Sequence, residues 1–268
     1  MVTDSDWQTT FRPDIPSSAR IYDYFLGGKD NFPADREAAE EIAGYLPAIR
    51  EAAHINRAFV HRAVRYLVKE TGITQLIDIG AGLPTKGNVH EIGIQANPRT
   101  RVVYVDHDPV VLAHARDLLN GEPGAIILEH DMRDVPDILA DPELRRLLSF
   151  EEPVGILVVS MLHFLPDADE PAGIIARLLA PFPPGSHLAL THGTADVAPQ
   201  VNEAARVYDS ATTSMHIRSR EEVLALVDGL EVVEPGLVWT AQWRPDPGQE
   251  TDHRACNSYY YALMARKL

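Results

Sequence analysis

Three acidic residues occur at the ends of three successive apolar runs in the sequence. Asp78 lies two residues before the glycine turn at 80–82, Asp106 ends the next run, and Asp131 follows the third. Because the carboxyl ends of parallel strands meet at one edge of a sheet, we expect the three carboxylates to lie near one another. Glycines in the turn let the backbone approach a ligand where a Cβ atom would collide with it.

In this order the three acids suit an adenosine ligand that is neutral or cationic. Asp78 can accept hydrogen bonds from the turn or from an ammonium, Asp106 from both ribose hydroxyls, and Asp131 from the adenine amino group. Met132 can lie on the adenine ring. The set therefore predicts S-adenosylmethionine, whose sulfonium is cationic. For any one acid, the alternative is an ordinary aspartate that caps the next helix.

Neighbours of these residues complete the candidate cofactor-binding set. They are Gly80, Ala81, Gly82, His107 and Ser160.

Other cofactors fit the sequence less well. A dinucleotide fingerprint requires a third glycine where this chain has Thr85, and neither Lys29 nor Lys86 lies in a P-loop. The histidines form no His-x-x-x-His set, and the single cysteine, Cys256, forms no Cys-x-x-Cys set, so we expect no metal. Thr85 and the missing phosphate site argue against the main enzymatic alternative, a nucleotide-dependent oxidoreductase.

Apolar β-branched runs alternate with helical patterns after Gly72, which predicts a parallel sheet with right-handed crossovers. The predicted strands are 75–79, 101–105, 125–129, 155–160 and 187–191. The predicted helices are 88–96, 109–119, 135–148, 170–179 and 197–208. A Ser219-x-x-Glu222 capping box opens a further helix. Two last runs, 231–240 and 257–265, predict a final hairpin, which gives seven strands with an antiparallel last strand.

The first seventy residues have a different pattern. Residues 1–20 are read as a flexible or draped arm, and helical patterns begin at Asp35 and at Pro47. We therefore predict an N-terminal arm and helical cover over residues 1–70 and a cofactor-binding core over residues 71–268.

Composition limits the partners. The formal net charge is −15 and the sequence pI is about 5.1, which disfavours nucleic acid and anionic membranes. The longest apolar stretch, 154–165, is too short for a membrane span, and the N-terminus has no secretory pattern. With one cysteine no internal disulfide can form, which fits the cytoplasm. The Asp/Asn-Pro-Pro-aromatic motif, expected of enzymes that methylate the exocyclic amines of nucleic-acid bases, is absent. If the cofactor donates its methyl group, this absence favours a small molecule as the methyl acceptor. The oligomeric state is left open.

Several segments resemble a largely actinobacterial family of S-adenosylmethionine-dependent methyltransferases long catalogued as a domain of unknown function. The matching segments are 18–32, 56–67, 162–167, Tyr261-Ala262 and Arg266-Lys267. The resemblance implies a Rossmann-like Class I methyltransferase fold. It also implies that residues 22–31 and the helix with Asn56 and Arg57 cover the cofactor cleft.

Roles follow for three residues of this cover. Arg57 would bind the cofactor carboxylate, and Tyr22 and Tyr24 would line the methyl-acceptor pocket. The alternatives are that the tyrosines anchor the arm in the core and that Arg57 is a surface ion-pair residue.

Methyl transfer is an in-line displacement, which mainly requires alignment of the acceptor and exclusion of water. A base is needed only where the acceptor must lose a proton. His163, just after the fourth strand, is the best candidate, and Tyr22 is the second candidate catalytic residue. The favoured alternative for His163 is a histidine that packs or hydrogen-bonds in the cleft wall. Because no unambiguous catalytic residue appears, a non-catalytic S-adenosylmethionine-binding sensor is the alternative function.

Overall fold

The computed structural model of the chain describes residues 12–85, 87–211, 213–248 and 258–268. Residues 1–11 of the predicted arm, Cys256 and the predicted start of the last strand at Asn257 lie outside these residues.

An eight-stranded sheet forms the centre of the described structure. The strands are β1 (Gln75–Ile79), β2 (Arg101–Asp106), β3 (Ala125–Glu129), β4 (Gly155–Val159), β5 (His187–Gly193), β6 (Glu231–Val232), β7 (Val238–Trp239) and β8 (Tyr260–Arg266). Their order is β3-β2-β1-β4-β5-β8-β6, and β7 also pairs with β8. Strands β1 to β5 are parallel, whereas β8 runs antiparallel between β5 and β6. The predicted α/β fold with a mostly parallel sheet is confirmed.

Helices cover both faces of the sheet. They are α1 (Ser18–Phe25), α2 (Pro33–Tyr45), α3 (Ile49–Arg65), α4 (Val89–Ala96), α5 (Pro109–Leu118), α6 (Val135–Ala140), α7 (Pro142–Leu147), α8 (Pro171–Leu179), α9 (Val201–Val207) and α10 (Arg220–Ala225). Every residue of β1 is buried, as expected for a strand covered on both sides. None of the helices in the described ranges has the length and apolar character needed to cross a bilayer.

Two predicted elements are divided in the structure. The predicted helix over 135–148 breaks at Asp141, because Pro142 has no N–H to continue it and the Asp141 carboxylate caps α7 by accepting from Glu143 N–H. The predicted strand over 231–240 becomes β6 and β7, which flank a turn around Pro235. This division explains why eight strands are present where seven were predicted.

The N-terminal helices pack over the edge of the sheet at which β1 to β5 end, here called the carboxyl edge. Helix α1 was not predicted, and it begins inside the predicted arm. A buried ion pair joins Arg20 to Asp35 at 2.8 Å and holds α1 against α2. Ser17 donates from its hydroxyl to Asp108 Oδ2 at 2.7 Å, which ties the cover to the loop after β2.

The cover shares its apolar core with the rest of the chain. Ile21 of α1 and Ile42 of α2 pack in one cluster with Val201 of α9 and Tyr260 of β8. Helix α3 packs Phe59 on the sheet. The boundary at residue 70 stays a prediction.

Candidate active site

The turn after β1 brings the backbone close to a cleft at the carboxyl edge. Gly80 and Gly82 have φ of 72° and 65°, a region that favours glycine. A Cβ atom at Gly80 would meet the Met161 side chain at 2.1 Å, whereas one at Gly82 would meet nothing within 4 Å. A side chain at position 80 would be strained by the positive φ and would displace Met161, whereas position 82 borders open space.

Asp106 at the end of β2 is fixed by backbone donors. Its Oδ2 accepts from Gly82 N–H at 2.9 Å, and its Oδ1 accepts from His107 N–H at 2.8 Å and Asp108 N–H at 2.9 Å. Burial raises the pKa of Asp106, while the N–H groups of Asp108 and Gly82 act in the opposite direction. These contacts orient the carboxylate toward the cleft that it lines.

Asp78 is the least satisfied acid of the site. It is buried in β1, and no hydrogen bond from the described residues reaches its carboxylate. Burial raises its pKa to about 7, with Arg57 lowering it and the nearby Asp106 raising it further. A buried carboxylate in this state is stabilised by a cation that enters the cleft.

Asp131 and Met132 lie in an outer lobe of the same cleft. The outer lobe shares Gly80, Asp106 and other residues with the inner lobe that Asp78 lines. Both Asp131 oxygens accept from the Arg133 guanidinium, at 2.8 and 2.5 Å, and this pairing lowers the pKa of Asp131. Because Oδ1 also accepts from the Arg133 backbone N–H at 2.9 Å, the lone pair that remains for a ligand donor is on Oδ2.

Helix α3 brings two incompletely paired polar side chains to the inner lobe. Arg57 donates from Nη2 to the Gly87 carbonyl at 2.9 Å, but its buried Nε has no hydrogen-bond acceptor. Asn56 donates from Nδ2 to Tyr22 Oη at 3.0 Å and to Ser160 Oγ at 3.2 Å, whereas its buried Oδ1 has no donor. Buried polar groups without partners cost free energy, so these atoms mark a place for ligand polar groups.

Ser160 and Tyr22 face the same lobe. Ser160 follows β4 with φ of 56°, which is strained for a residue with a Cβ atom. Its N–H donates to Thr191 Oγ1 at 3.0 Å. Tyr22 donates from its hydroxyl to the Ala53 carbonyl at 3.1 Å, and burial raises its pKa.

His163 is buried on a short 3₁₀ turn, 162–164, after β4. Its Nδ1 accepts from Gly193 N–H at 3.3 Å, so the ring carries its proton on Nε2. Burial lowers the pKa of His163 well below its usual value, and His192 and Arg218 lower it further. This geometry favours the alternative interpretation of His163, in which it hydrogen-bonds in the cleft wall.

Arg218 holds the turn that carries His163. It is buried and donates to the carbonyls of Leu162 and Leu165 at 2.9 and 2.8 Å and to the Asp167 carboxylate at 2.6 Å. Its position beside the Ser219 cap favours a solvated helix entrance over a substrate clamp, and the expectation of a solvated side chain is wrong because Arg218 is buried.

The cleft gathers most of the predicted site residues. Those that line it are Tyr22, Arg57, Asp78, Gly80, Ala81, Gly82, Asp106, His107, Asp131, Met132, Ser160 and His163. Tyr24 is not among the lining residues, because its hydroxyl donates to Glu40 and its ring lies under Arg50.

Further lining residues were missed in the sequence. They include Ser18, Phe164, Tyr208, Thr213, Met215 and Tyr260. Phe164 adjoins His163 and could have been found by that position. Tyr260 begins an antiparallel strand, so it reaches the carboxyl edge from the opposite direction.

The polar groups of the cleft fit one ligand type. Asp78 and Asp106 suit an ammonium and a pair of hydroxyls, and Arg57 suits a carboxylate. Within the described ranges, no group of three or more His, Cys, Asp or Glu side chains is arranged to hold a metal ion.

Comparisons with known proteins show what the chain is similar to. A family model described as S-adenosyl methyltransferase matches residues 5–268. The crystal structure of a DUF574 family protein from Streptomyces avermitilis is 43% identical, with a TM-score of 0.91, and the match covers 96% of this chain and 100% of that one. A putative methyltransferase from Thermobifida fusca is 38% identical, with a TM-score of 0.89, over 95% and 96% of the two chains.

A more distant structure shares the fold alone. The N-methyltransferase NodS from Bradyrhizobium japonicum, in complex with S-adenosyl-L-homocysteine, is 15% identical with a TM-score of 0.51, over 87% of this chain and 97% of that one. No curated protein matches the chain in sequence. The predicted Class I, Rossmann-like fold and the predicted family resemblance are both confirmed.

Proposed function

This chain belongs to the S-adenosyl methyltransferase family, and from that membership we propose that it methylates a small molecule bound in the cleft at the carboxyl edge. Membership confirms the predicted enzyme class and the predicted cofactor, S-adenosylmethionine. The acceptor class and the role of each residue are our proposal.

The turn at 80–82 and residues of both the inner and the outer lobe would hold the cofactor. Arg57 binds its carboxylate, Asp78 its ammonium, and Asp106 its ribose hydroxyls. Asp131 and Met132 contact the adenine, and Ala81, His107 and Ser160 line its path. The buried Arg57 Nε and the unpaired Asp78 carboxylate support this orientation, because they give opposite charges for the two ends of an amino-acid group.

The acceptor is a small molecule because the cleft is covered. Helices α1 and α3 lie over the carboxyl edge, and Ser17 closes one side by its hydrogen bond to Asp108. The net charge of −15 disfavours nucleic acid as a substrate. The main support for the proposal is that Asp106, Asp78 and Arg57 line a single covered cleft. Asp106 is oriented by backbone donors, Asp78 has no hydrogen-bond donor among the described residues, and Arg57 is incompletely paired.

When bound, the cofactor supplies a methyl group on a cationic sulfur that accepts an in-line nucleophile. The chain aligns the acceptor and excludes water. Tyr22 and His163 are the candidate catalytic residues, and they contact the acceptor. Tyr22 has its proton committed to the Ala53 carbonyl, and His163 presents Nε2–H.

Calorimetric titration with S-adenosylmethionine and S-adenosyl-L-homocysteine, beside NADH and ATP, tests the site. We expect both sulfur ligands to bind and the two nucleotides not to bind. Transfer of labelled methyl from the cofactor into a small-molecule extract then tests catalysis. Binding without transfer into any acceptor fraction would favour the sensor alternative, and no binding by a folded, ligand-free sample would refute the site.

A further inference from the structure

We propose that the acceptor is an uncharged aromatic molecule that presents a neutral nitrogen to the methyl group. The inference rests on the proposed function, and it concerns the part of the inner lobe that aromatic side chains line. We call this part the acceptor chamber. Its walls are Tyr22, His163, Phe164, Tyr208, Met215 and Tyr260.

The chamber walls are rings and a thioether. Phe164 and Tyr208 have centroids 5.6 Å apart, and His163 and Tyr260 have centroids 6.0 Å apart. Met215 reaches the same region, since its methyl carbon lies 3.6 Å from where a Cβ atom at Gly193 would stand. Ring edges, ring faces and a polarisable sulfur favour a flat aromatic guest.

The chamber walls are also uncharged. Burial raises the pKa of the Tyr22, Tyr208 and Tyr260 hydroxyls, so these remain protonated. His163 is neutral, because burial lowers its pKa and the neighbouring His192 and Arg218 lower it further. The ionisable lining residues Arg57, Asp78 and Asp106 belong to the cofactor side. A charged guest would therefore lose its hydration without gaining an ionic partner.

Among the residues that the structure describes, the chamber also holds no group placed to take a proton from the guest. His163 Nδ1 already accepts from Gly193 N–H, and its other nitrogen carries a proton. Tyr22 donates to Ala53 and accepts from Asn56. A hydroxyl acceptor needs a base before it becomes a strong nucleophile, whereas a neutral amine or ring nitrogen already has a free lone pair. The walls therefore suit nitrogen better than oxygen.

The step balances without a base in the chamber. The nitrogen lone pair forms the new bond to the methyl carbon while the carbon–sulfur bond breaks, and that bond's electron pair stays on sulfur. The methylated nitrogen carries the positive charge. A primary or secondary amine then loses one proton to bulk water as the product leaves.

Four one-ring probes of matched shape test the inference on the whole protein saturated with S-adenosyl-L-homocysteine. They are p-toluidine (neutral amine), p-cresol (neutral hydroxyl), p-toluate (anion) and p-methylbenzylamine (cation). We expect the two neutral probes to bind at least about tenfold more tightly than the two ions in calorimetry at neutral pH. With S-adenosylmethionine in place of the product, we expect methyl transfer to p-toluidine and not to p-cresol.

A charge placed in the chamber gives the variant test. Met215→Glu should reverse the order and favour p-methylbenzylamine, while Met215→Leu, which adds no charge, should keep the neutral probes ahead. Tighter binding of either ion by the unaltered protein, binding of no neutral probe, or transfer to p-cresol rather than to p-toluidine would overturn the inference. Binding of S-adenosyl-L-homocysteine, measured first, reports separately on the proposed function.

Discussion

The two edges of the parallel sheet differ in how far their charged side chains are paired. At the carboxyl edge, Asp78 has no hydrogen-bond donor among the described residues, and the buried Arg57 Nε has no acceptor. At the opposite edge, where β1 to β5 begin, ion pairs join several of the charged side chains. Arg101 binds Glu152 at 3.2 Å, and Arg266 binds Glu231 at 2.5 Å.

The larger cavity lies at the amino edge of the sheet, the edge opposite the proposed cofactor site. The cavity at the amino edge, which Arg101 and Glu231 help to line, has a volume of about 1070 Å³. The inner and outer lobes at the carboxyl edge have volumes of about 120 and 400 Å³. Because the amino-edge pairs are largely open to water and already satisfied, a ligand would gain little there. Unsatisfied buried groups, rather than cavity volume, are the reason why we propose the carboxyl edge as the binding site.

Removal of the oriented acid should have the largest effect. In Asp106→Ala the ribose hydroxyls lose their acceptor, and the N–H groups of Gly82, His107 and Asp108 lose theirs. We expect affinity for S-adenosyl-L-homocysteine to fall by about 100-fold or more in calorimetry, since hydrogen bonds to a charged group contribute about 1.5–3 kcal/mol each. Glu152→Ala at the amino edge is the matched control, and an equal loss there would remove the distinction between the edges.

Arg57→Gln should have a smaller effect that depends on the ligand. The variant lacks the guanidinium that we place on the cofactor carboxylate, so S-adenosyl-L-homocysteine should bind about 10- to 50-fold more weakly. Methylthioadenosine lacks the amino-acid group, so its affinity should change by less than about twofold. Titration of both ligands decides the point. Equal losses for the two would mean that Arg57 acts through the fold of the cleft.

The state of Asp78 should make binding depend on pH. Its folded pKa is about 7, well above the ordinary value near 3.9, so the empty protein holds the proton between these values. The contribution of this raised pKa to the free energy of unfolding is fully present below about pH 4 and is lost as the pH rises through about 7. A ligand ammonium favours the ionised carboxylate of Asp78. Affinity for the ligand should therefore increase as the pH is raised toward 7, by up to about tenfold per pH unit.

Asp78→Asn, titrated with S-adenosyl-L-homocysteine between about pH 5.5 and 8, should show no such rise. The same variant should unfold in urea with less dependence of stability on pH. A wild-type affinity that stays constant over this range would show that Asp78 does not meet the ammonium.

The acids of this edge could be predicted because each one ends a parallel strand. The patterns placed β1 at 75–79 and β3 at 125–129, as the structure has them, because β-branched residues fill buried parallel strands. Once those strands are placed, the position of Asp78 and Asp106 at one edge follows from the parallel order.

The acceptor chamber could not be predicted in this way. Tyr260 stands at the start of β8 and reaches the carboxyl edge because that strand is antiparallel, pairing with Gly193. Tyr208 follows α9, and Met215 lies in an irregular segment, so neither has a periodic pattern that indicates its direction. The protonated nitrogen of His163 depends on a single backbone N–H from β5, which sequence patterns do not report.

The smallest effect is expected at the amino edge. Glu231→Gln removes the ion pair with Arg266, whose two side chains are each 46% exposed. Exposed pairs contribute little, so the free energy of unfolding in urea should fall by no more than about 0.5 kcal/mol. Affinity for S-adenosyl-L-homocysteine should stay within about twofold of the wild-type value. A tenfold change in that affinity would mean that the amino edge is coupled to the cleft. The pairing of surface charges could then no longer be used to distinguish the amino edge from the carboxyl edge, where we propose that the cofactor binds.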